Sequence, residues 1–387
     1  MVVLQRDALA RNPRIDLLRG VAILLVVVHH LYLRVPLTDC AWLSRVPKRV
    51  LLGFGMHGYE AVFLFFVISG FLITSNALQR WGRLDRIDIG EFYARRFARI
   101  VPCLLVLVAV LCVLHALRVP HYTIEHANQS LPRAVLAALG LHANWYQAKT
   151  GWLPGNWDVL WSLSIEEVFY IGLPLLCLTV RRTWLLVPLL LALAASLPWT
   201  RAAAAGNEIW HEFAYLPGMA AIATGVLSAI WAAHKTTPSR SWIRAFAIVG
   251  VLGLGATVFA DDLLSRAMHE FAMLVLTGSS ACLVIASYWH ARASVDARWP
   301  LTAWIESFGR LSYEIYLTHM FVVFSIVELY EVSGGDTRFM PLWYALTVAW
   351  CWLVGVGVDR VLSTPANRSL RKWMLGSTQA RVAQPST

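Results

Sequence analysis

Residues 14–33 read RIDLLRGVAILLVVVHHLYL. Every position from Gly20 to Val28 is apolar or glycine, which is typical of a helix with apolar surroundings on all sides. Because a bilayer is crossed by about 20 mostly apolar residues, the pattern predicts a membrane-spanning helix over Asp16–Leu33. The ionisable side chains at both ends of this run are the unusual feature, since such groups are rarely placed in a membrane without a function.

The same kind of apolar block recurs along the 387 residues, of which 58% are hydrophobic and 14% are charged. A soluble domain is nearer about a quarter charged, so a disordered chain, a secreted disulfide scaffold and most soluble enzymes are excluded. We predict an all-α polytopic membrane bundle of about ten helices, formed by one domain over 1–375 and followed by a polar cytoplasmic tail over 376–387. The predicted spans are Asp16–Leu33, Tyr59–Leu78, Phe97–Leu117, Val159–Val180, Trp184–Leu197, Phe213–Ala233, Trp242–Phe259, Glu270–Trp289, Phe308–Leu329 and Pro341–Val358.

The basic residues indicate the orientation of these spans. With the N-terminus inside, 23 of the 33 Lys and Arg residues fall in cytoplasmic segments and 10 fall outside. This asymmetry and the even number of spans predict that both termini are cytoplasmic. The net charge of +10 is then explained by topology, and nucleic-acid binding is not needed to account for it.

The sequence predicts neither a disulfide framework nor a cleaved signal peptide. The six cysteines form no pairing pattern and lie mostly in apolar blocks, so we interpret them as small buried hydrophobes. The first apolar run is followed by no small-residue cleavage site, so we expect no cleaved signal peptide.

The first span carries polar groups along one face. Arg19 and His30 are eleven positions apart, which places them on one stripe about 16 Å apart along the helix, and Asp16 belongs to the same stripe. His29 lies about 100° away and is expected to face packing. The alternatives are that Arg19 is a positive anchor at the membrane surface and that His30 is an interfacial histidine.

The fourth span contains the run Trp161–Tyr170. Ser162, Glu166 and Tyr170 follow one another at intervals of four, so they share one polar face of an otherwise apolar helix. A carboxylate at bilayer depth needs a cation, an imidazole or water, which makes Glu166 and the adjacent Glu167 candidate site residues.

Two further spans carry small or polar residues in register. In the ninth span, Ser312, Tyr316 and His319 share a stripe, and His319 is either a functional or a structural histidine. In the second span, Ser69 and Gly70 are expected to allow close helix packing.

Three arginines, Arg95, Arg96 and Arg99, precede the third span. They are either anchors at the membrane surface or a clamp for a polyphosphate ligand, because guanidinium groups match phosphate oxygens. The longest non-spanning stretch, about Arg118–Asp158, contains Trp152 among several aromatic residues. It is either an interfacial aromatic belt or a cover whose rings stack on a sugar.

Taken together, these runs resemble the acyltransferase-3 family of integral-membrane O-acyltransferases of carbohydrates and lipids. The sequence departs from the family pattern at Phe63, at Thr318 and in having no histidine before Trp161. These departures affect the expected acceptor contacts. The matching stretches are Arg14–Gly20 with His30, Phe65–Thr74, Phe92–Pro102, Trp161–Tyr170 and Gly309–His319.

The resemblance implies a bacterial inner-membrane enzyme that takes an acyl group, most simply acetyl, from cytoplasmic acyl-CoA. The acceptor is a hydroxyl of an extracytoplasmic or lipid-linked carbohydrate, and no metal is expected. By motif match, Arg19 and His30 take the places of the essential arginine and histidine. The other implied catalytic residues are Glu166 and Ser162, and the implied donor-binding residues are Arg95, Arg96 and Arg99.

We expect Arg19, His30 and Glu166 to face one hydrated tunnel. His30 is then a general base that Glu166 orients directly or through Ser162, or it forms an acyl-histidine intermediate. Arg19 is expected to hold the pantetheine arm or to polarise the thioester. The residues expected to contact the substrate are His319, Tyr316, Glu167 and Trp161.

The alternative function is a proton-coupled transporter or flippase, in which a relay of ionisable side chains carries protons. That class predicts inverted internal repeats, and the sequence shows none. The relay would consist of Asp16, His30, Glu166 and His319.

Overall fold

The computed structural model describes residues 11–235, 238–293 and 300–382. Within these ranges the regular structure is helical, without a β-strand. The α-helices are α1 (Pro13–Tyr32), α2 (Lys48–Gly55), α3 (Gly58–Trp81), α4 (Ile89–Ala116), α5 (Leu131–Leu139), α6 (Ala143–Thr150), α7 (Leu160–Val180), α8 (Thr183–Ala195), α9 (Leu197–Ala204), α10 (Glu208–Phe213), α11 (Tyr215–His234), α12 (Arg240–Phe259), α13 (Asp261–Met268), α14 (Ala272–Ala293), α15 (Ala303–Arg310), α16 (Ser312–Val332), α17 (Met340–Val358) and α18 (Thr364–Val382).

The described ranges contain nine helical segments that are long and apolar enough to cross a membrane. A tenth crossing is formed when α8 and α9 are taken together, although the two helices are bent by 43° at Ser196. Pro198 lies in the first turn of α9, where proline is tolerated because the first amides have no helical partner. The predicted all-α membrane bundle of about ten helices is therefore confirmed.

Exposed apolar faces support the membrane location. On α12, the side chains of Ile248, Val249, Val251 and Leu252 are between 57% and 68% exposed. A soluble protein rarely leaves such a contiguous apolar face in water, whereas acyl chains solvate it without cost.

The third span begins earlier than predicted. The helix α4 starts at Ile89 rather than near Phe97, because the Asp88 carboxylate caps it by accepting the Glu91 N–H at 2.8 Å. The three arginines predicted to precede the span are therefore within the helix.

Close helix contacts hold α1 and α3 in place. A Cβ atom at Gly70 of α3 would lie 2.0 Å from the Ile222 carbonyl oxygen of α11, which confirms the close packing expected there. A Cβ atom at Gly309 of α15 would lie 1.7 Å from the Asp16 carbonyl oxygen of α1. The polar face of α1 is thus fixed against α15 and against α16, which follows it.

The segment predicted to form a tail begins inside α18, which continues to Val382. The remainder of that tail, 383–387, lies outside the described residues. Arg11 and Arg371 line the same cavity, so the two parts of the chain meet at one end of the bundle. The cytoplasmic location of that end stays a prediction.

Candidate active site

A large polar cavity enters the bundle at the end where α1 and α4 begin. It has a volume of about 2100 Å³ and receives side chains from α1, α3, α4, α7, α14, α16 and α18. Nine arginines and three carboxylates line it among the described residues, so its electrostatic potential favours an anionic ligand. We call it the arginine cavity; its arginines are Arg11, Arg14, Arg19, Arg80, Arg95, Arg96, Arg99, Arg292 and Arg371.

Arg19 is fixed by a residue 293 positions away. Its Nε and Nη2 atoms donate to the Ser312 hydroxyl at 3.1 and 2.7 Å, respectively, and Ser312 is buried. Asp16 does not pair with Arg19, because it accepts two hydrogen bonds from Arg11 Nε at 2.9 and 2.7 Å. The two groups of the predicted stripe thus line one cavity but have separate partners.

The three arginines of α4 have different surroundings. Arg95 donates to Glu91 Oε1 at 2.9 and 2.6 Å. Arg96 lies 3.6 Å above the ring of Tyr170 and pairs with Glu167 at 3.7 Å. Arg99 is exposed to the cavity and makes no hydrogen bond or ion pair with a described residue.

Glu166 and Ser162 also line the arginine cavity. The Tyr316 hydroxyl donates to the Val159 carbonyl at 3.0 Å and shares a hydrogen bond of 2.7 Å with the Ser162 hydroxyl. Tyr170, on the same face of α7 as predicted, hydrogen-bonds Ser69 of α3. Ser162 and Tyr316 close the deep end of the cavity.

His30 lies beyond this closure and does not line the arginine cavity. Its ring centroid is 4.8 Å from that of His319, which in turn is 5.8 Å from the Tyr316 ring. The arginine cavity thus receives Arg19 and Glu166 but not His30, and a tunnel that joins all three stays a prediction. The helical stripe gives the face of α1 on which His30 lies, but it does not reveal that α16 places His319 beside His30.

Both imidazoles have a defined tautomer. His30 Nδ1 donates to the Val26 carbonyl at 2.8 Å, and His319 Nδ1 donates to the Tyr316 carbonyl at 2.8 Å. A carbonyl oxygen only accepts, so Nε2 of each neutral ring keeps its lone pair. His30 is thus oriented by its own helix rather than by Glu166, and His319 Nε2 is buried without a hydrogen-bond partner in the described structure.

Two of the residues expected to contact the substrate are held by packing. The Trp161 ring stacks on Phe213 with centroids 4.2 Å apart and is 5% exposed. Glu167 faces Arg96 and does not line the cavity. Their contacts with a substrate stay a prediction.

A second cavity of about 550 Å³ lies at the opposite end of the bundle, and we call it the outer cavity after the predicted orientation. Arg34, Trp152 and Asp158 are among its lining residues. Arg34 donates to the His30 carbonyl at 2.7 Å, and burial lowers the pKa of its guanidinium despite the nearby Asp158 carboxylate. One carboxylate oxygen of Asp158 is buried without a hydrogen-bond partner among the described residues.

The order of residues along α1 and α16 places His30 and His319 between the two cavities. On α1 and the turn after it, Arg19 lines the arginine cavity and Arg34 the outer cavity, with His30 between them. On α16, Tyr316 lines the first cavity and Phe324 the second, with His319 between them.

Several residues of the two cavities were missed by sequence reasoning. Asp158 stands at the entrance of a span, which was a usable signal for a site residue. Arg371 is one of the 33 basic residues counted above for orientation alone, and Asn367 gives no signal in a polar segment. The described residues contain no group of three or more His, Cys, Asp or Glu side chains arranged to hold a metal ion.

Comparison with known proteins identifies relatives among O-acetyltransferases. The chain is 31% identical over 174 residues to O-acetyltransferase OatA of Staphylococcus aureus, which covers 42% of this chain and 24% of that protein. It is 24% identical over 390 residues to peptidoglycan O-acetyltransferase OatA of Listeria monocytogenes, which covers 92% of this chain and 56% of that protein.

The chain thus spans about half of the Listeria protein, and its match covers a quarter of the Staphylococcus one. No solved structure gives a significant match. The model of the acyltransferase domain family known as acyltransferase 3 matches residues 12–356, nearly the whole chain. The chain therefore belongs to the acyltransferase-3 family.

Proposed function

We propose that this protein is an O-acetyltransferase of the bacterial inner membrane. It takes the acetyl group of acyl-CoA from the cytosol and transfers it to a hydroxyl of a carbohydrate on the outer side. The observation that carries this proposal is the arginine cavity, because an acyl-CoA donor is a polyanion that needs a cationic site.

The surroundings of the arginines suggest how the donor binds. Arg99 has its guanidinium free of protein partners in the described part of the chain, so it is the best placed of the α4 arginines to bind a phosphate. Arg19 lies deeper and is already oriented by Ser312. A thioester carbonyl beside Arg19 would be polarised by a preorganised donor.

The outer cavity supports the acceptor part of the proposal. Trp152 offers a half-exposed ring for stacking on a sugar face, and the unpartnered oxygen of Asp158 can accept a hydrogen bond from a hydroxyl. The printed names of the relatives indicate O-acetylation, in one case of peptidoglycan, and we propose an acceptor of this carbohydrate class.

His30 supplies the base in this reaction. As its Nε2 lone pair accepts the hydroxyl proton, the hydroxyl oxygen attacks the thioester carbon, a C–O bond forms and the C–S bond breaks. The proton then passes to the departing sulfur, which leaves as the CoA thiol. Tyr316 must turn aside for the two substrates to meet. A covalent acyl-histidine at the same Nε2 gives the same products in two steps.

The test uses inverted membrane vesicles that contain the full chain and labelled acetyl-CoA. We expect label on glycan with the unaltered protein and no transfer above background with His30→Ala, because the substitution removes the Nε2 lone pair that accepts the hydroxyl proton. The matched control is His29→Asn, since His29 Nδ1 only donates to the Gly55 carbonyl at 3.0 Å.

Near-normal transfer by an inserted His30→Ala protein would contradict the role of His30. Absence of transfer by the unaltered protein, together with pH-dependent solute uptake, would instead favour the transporter.

A further inference from the structure

The helix α18 contributes two side chains to the arginine cavity, Asn367 and Arg371. They are four residues apart, so they share one helix face. This helix packs against α4 and begins at Thr364, after the last residue matched by the family model. The family match therefore assigns no role to either residue.

Asn367 has an unsatisfied acceptor. Its Oδ1 atom is buried and has no hydrogen-bond partner in the described structure. A buried amide without a partner costs free energy, and a ligand that donates a hydrogen bond there recovers it. Asparagine suits one ligand group in particular, because its amide pairs with the N6 amine and N7 of adenine through two hydrogen bonds.

Arg371 stands in a cluster of cations at the cavity mouth. It is exposed, and Arg95 and Arg80 are among its charged neighbours. Arg80 and Arg95 both donate to the same Oε1 atom of Glu91, at 2.7 and 2.6 Å. One carboxylate thus faces three guanidinium groups, and the positive charge that remains favours phosphate.

We propose that α18 binds the adenine nucleotide part of the acyl donor. Asn367 recognises the adenine edge, and Arg371, next to Arg80 and Arg95, pairs with a nucleotide phosphate. The pantetheine arm then extends from this mouth towards Arg99 and Arg19. This inference rests on the proposed function, because it assumes that the donor is acyl-CoA.

The experiment compares acetyl-CoA with acetyl-pantetheine, which lacks the nucleotide, using the purified full chain in lipid nanodiscs. For Asn367→Ala we expect KM for acetyl-CoA to rise about tenfold, as for the loss of a bidentate base contact. The KM for acetyl-pantetheine should not change. Equal effects on both donors, or no effect on either, would overturn the proposal.

The phosphate contact has its own control. Arg371→Ala should raise KM for acetyl-CoA and leave KM for acetyl-pantetheine unchanged. Arg368→Ala, which removes an exposed arginine one turn earlier that does not line the cavity, should change neither. An Arg368→Ala effect as large as that of Arg371→Ala would show a general loss of surface charge and overturn the phosphate contact.

A binding measurement separates this inference from the proposed function. Adenosine 3′,5′-bisphosphate should bind the unaltered chain more tightly than its guanosine counterpart, and Asn367→Ala should remove this preference. If transfer fails but the adenine preference is present, the proposed function fails and the nucleotide site stands. If transfer occurs without that preference, the nucleotide site fails alone.

Discussion

The three arginines of α4 show how neighbouring residues of one type acquire different roles. Arg95 shares Glu91 with Arg80, Arg96 is held between Glu167 and Tyr170, and Arg99 faces the cavity without a partner. Of the three, only Arg99 has all its guanidinium hydrogens available to a ligand. Arg96 is therefore expected to matter for stability and Arg99 for donor binding.

This difference predicts opposite effects of two substitutions. Arg96→Ala leaves the partly buried Glu167 carboxylate without its cation, and leaving such a group unpaired costs about 1–3 kcal/mol. We expect a lower unfolding temperature in detergent. Arg99→Ala should leave that temperature unchanged and raise KM for acetyl-CoA about tenfold, the value of one charge-assisted hydrogen bond. A raised KM for Arg96→Ala at normal stability would contradict this assignment.

At the level of elements, the crossing of α1 and α15 determines where the Arg19 side chain lies. Gly309 approaches the Asp16 carbonyl, and Gly20 approaches the Ile305 carbonyl, where a Cβ atom would be 2.0 Å away. Backbone carbonyls cannot move aside as a flexible side chain can. The two helices would have to separate to accept any larger residue, and the bond between Arg19 and Ser312 would lengthen.

We therefore expect Gly309→Ala to reduce the amount of folded protein and to abolish transfer. The control is Gly357→Ala in α17, where an added Cβ meets nothing within 4 Å. That substitution should be neutral or stabilise the protein by up to about 1 kcal/mol, because alanine favours a helix. Size-exclusion profiles and melting curves of both variants check the prediction, and normal folding of Gly309→Ala would contradict the close crossing.

The helices themselves were largely predictable, because membrane helices leave long apolar blocks in the sequence. Their polar stripes were predictable as well: Ser162 and Tyr316, chosen from helical spacing, do meet. Their partners were not, since spacing gives the face of a helix but not its neighbour. Spacing does not show that Ser312 accepts from Arg19 or that His319 lies beside His30, because both contacts join distant parts of the chain.

At the level of the whole molecule, the two cavities lie at opposite ends of the bundle, and the predicted orientation can be tested directly. We expect a membrane-impermeant thiol reagent to label Gln79→Cys, at the arginine cavity, only in inverted vesicles. It should label Trp145→Cys, whose native side chain is 48% exposed, only in right-side-out vesicles. The unaltered protein measures labelling of the native cysteines, and the reverse pattern would contradict cytoplasmic termini.

The closure of the arginine cavity at Ser162 and Tyr316 has a consequence for the coenzyme and for the ion gradients of the cell. In the proposed reaction a two-carbon fragment crosses from one compartment to the other, while the nucleotide that delivered it is retained on its own side. Among the described residues the arginine cavity and the outer cavity share no lining residue, so in the proposed reaction turnover need not dissipate the ion gradients of the membrane. Modification of the cell surface would then consume only the acetyl groups, and the coenzyme would return to metabolism.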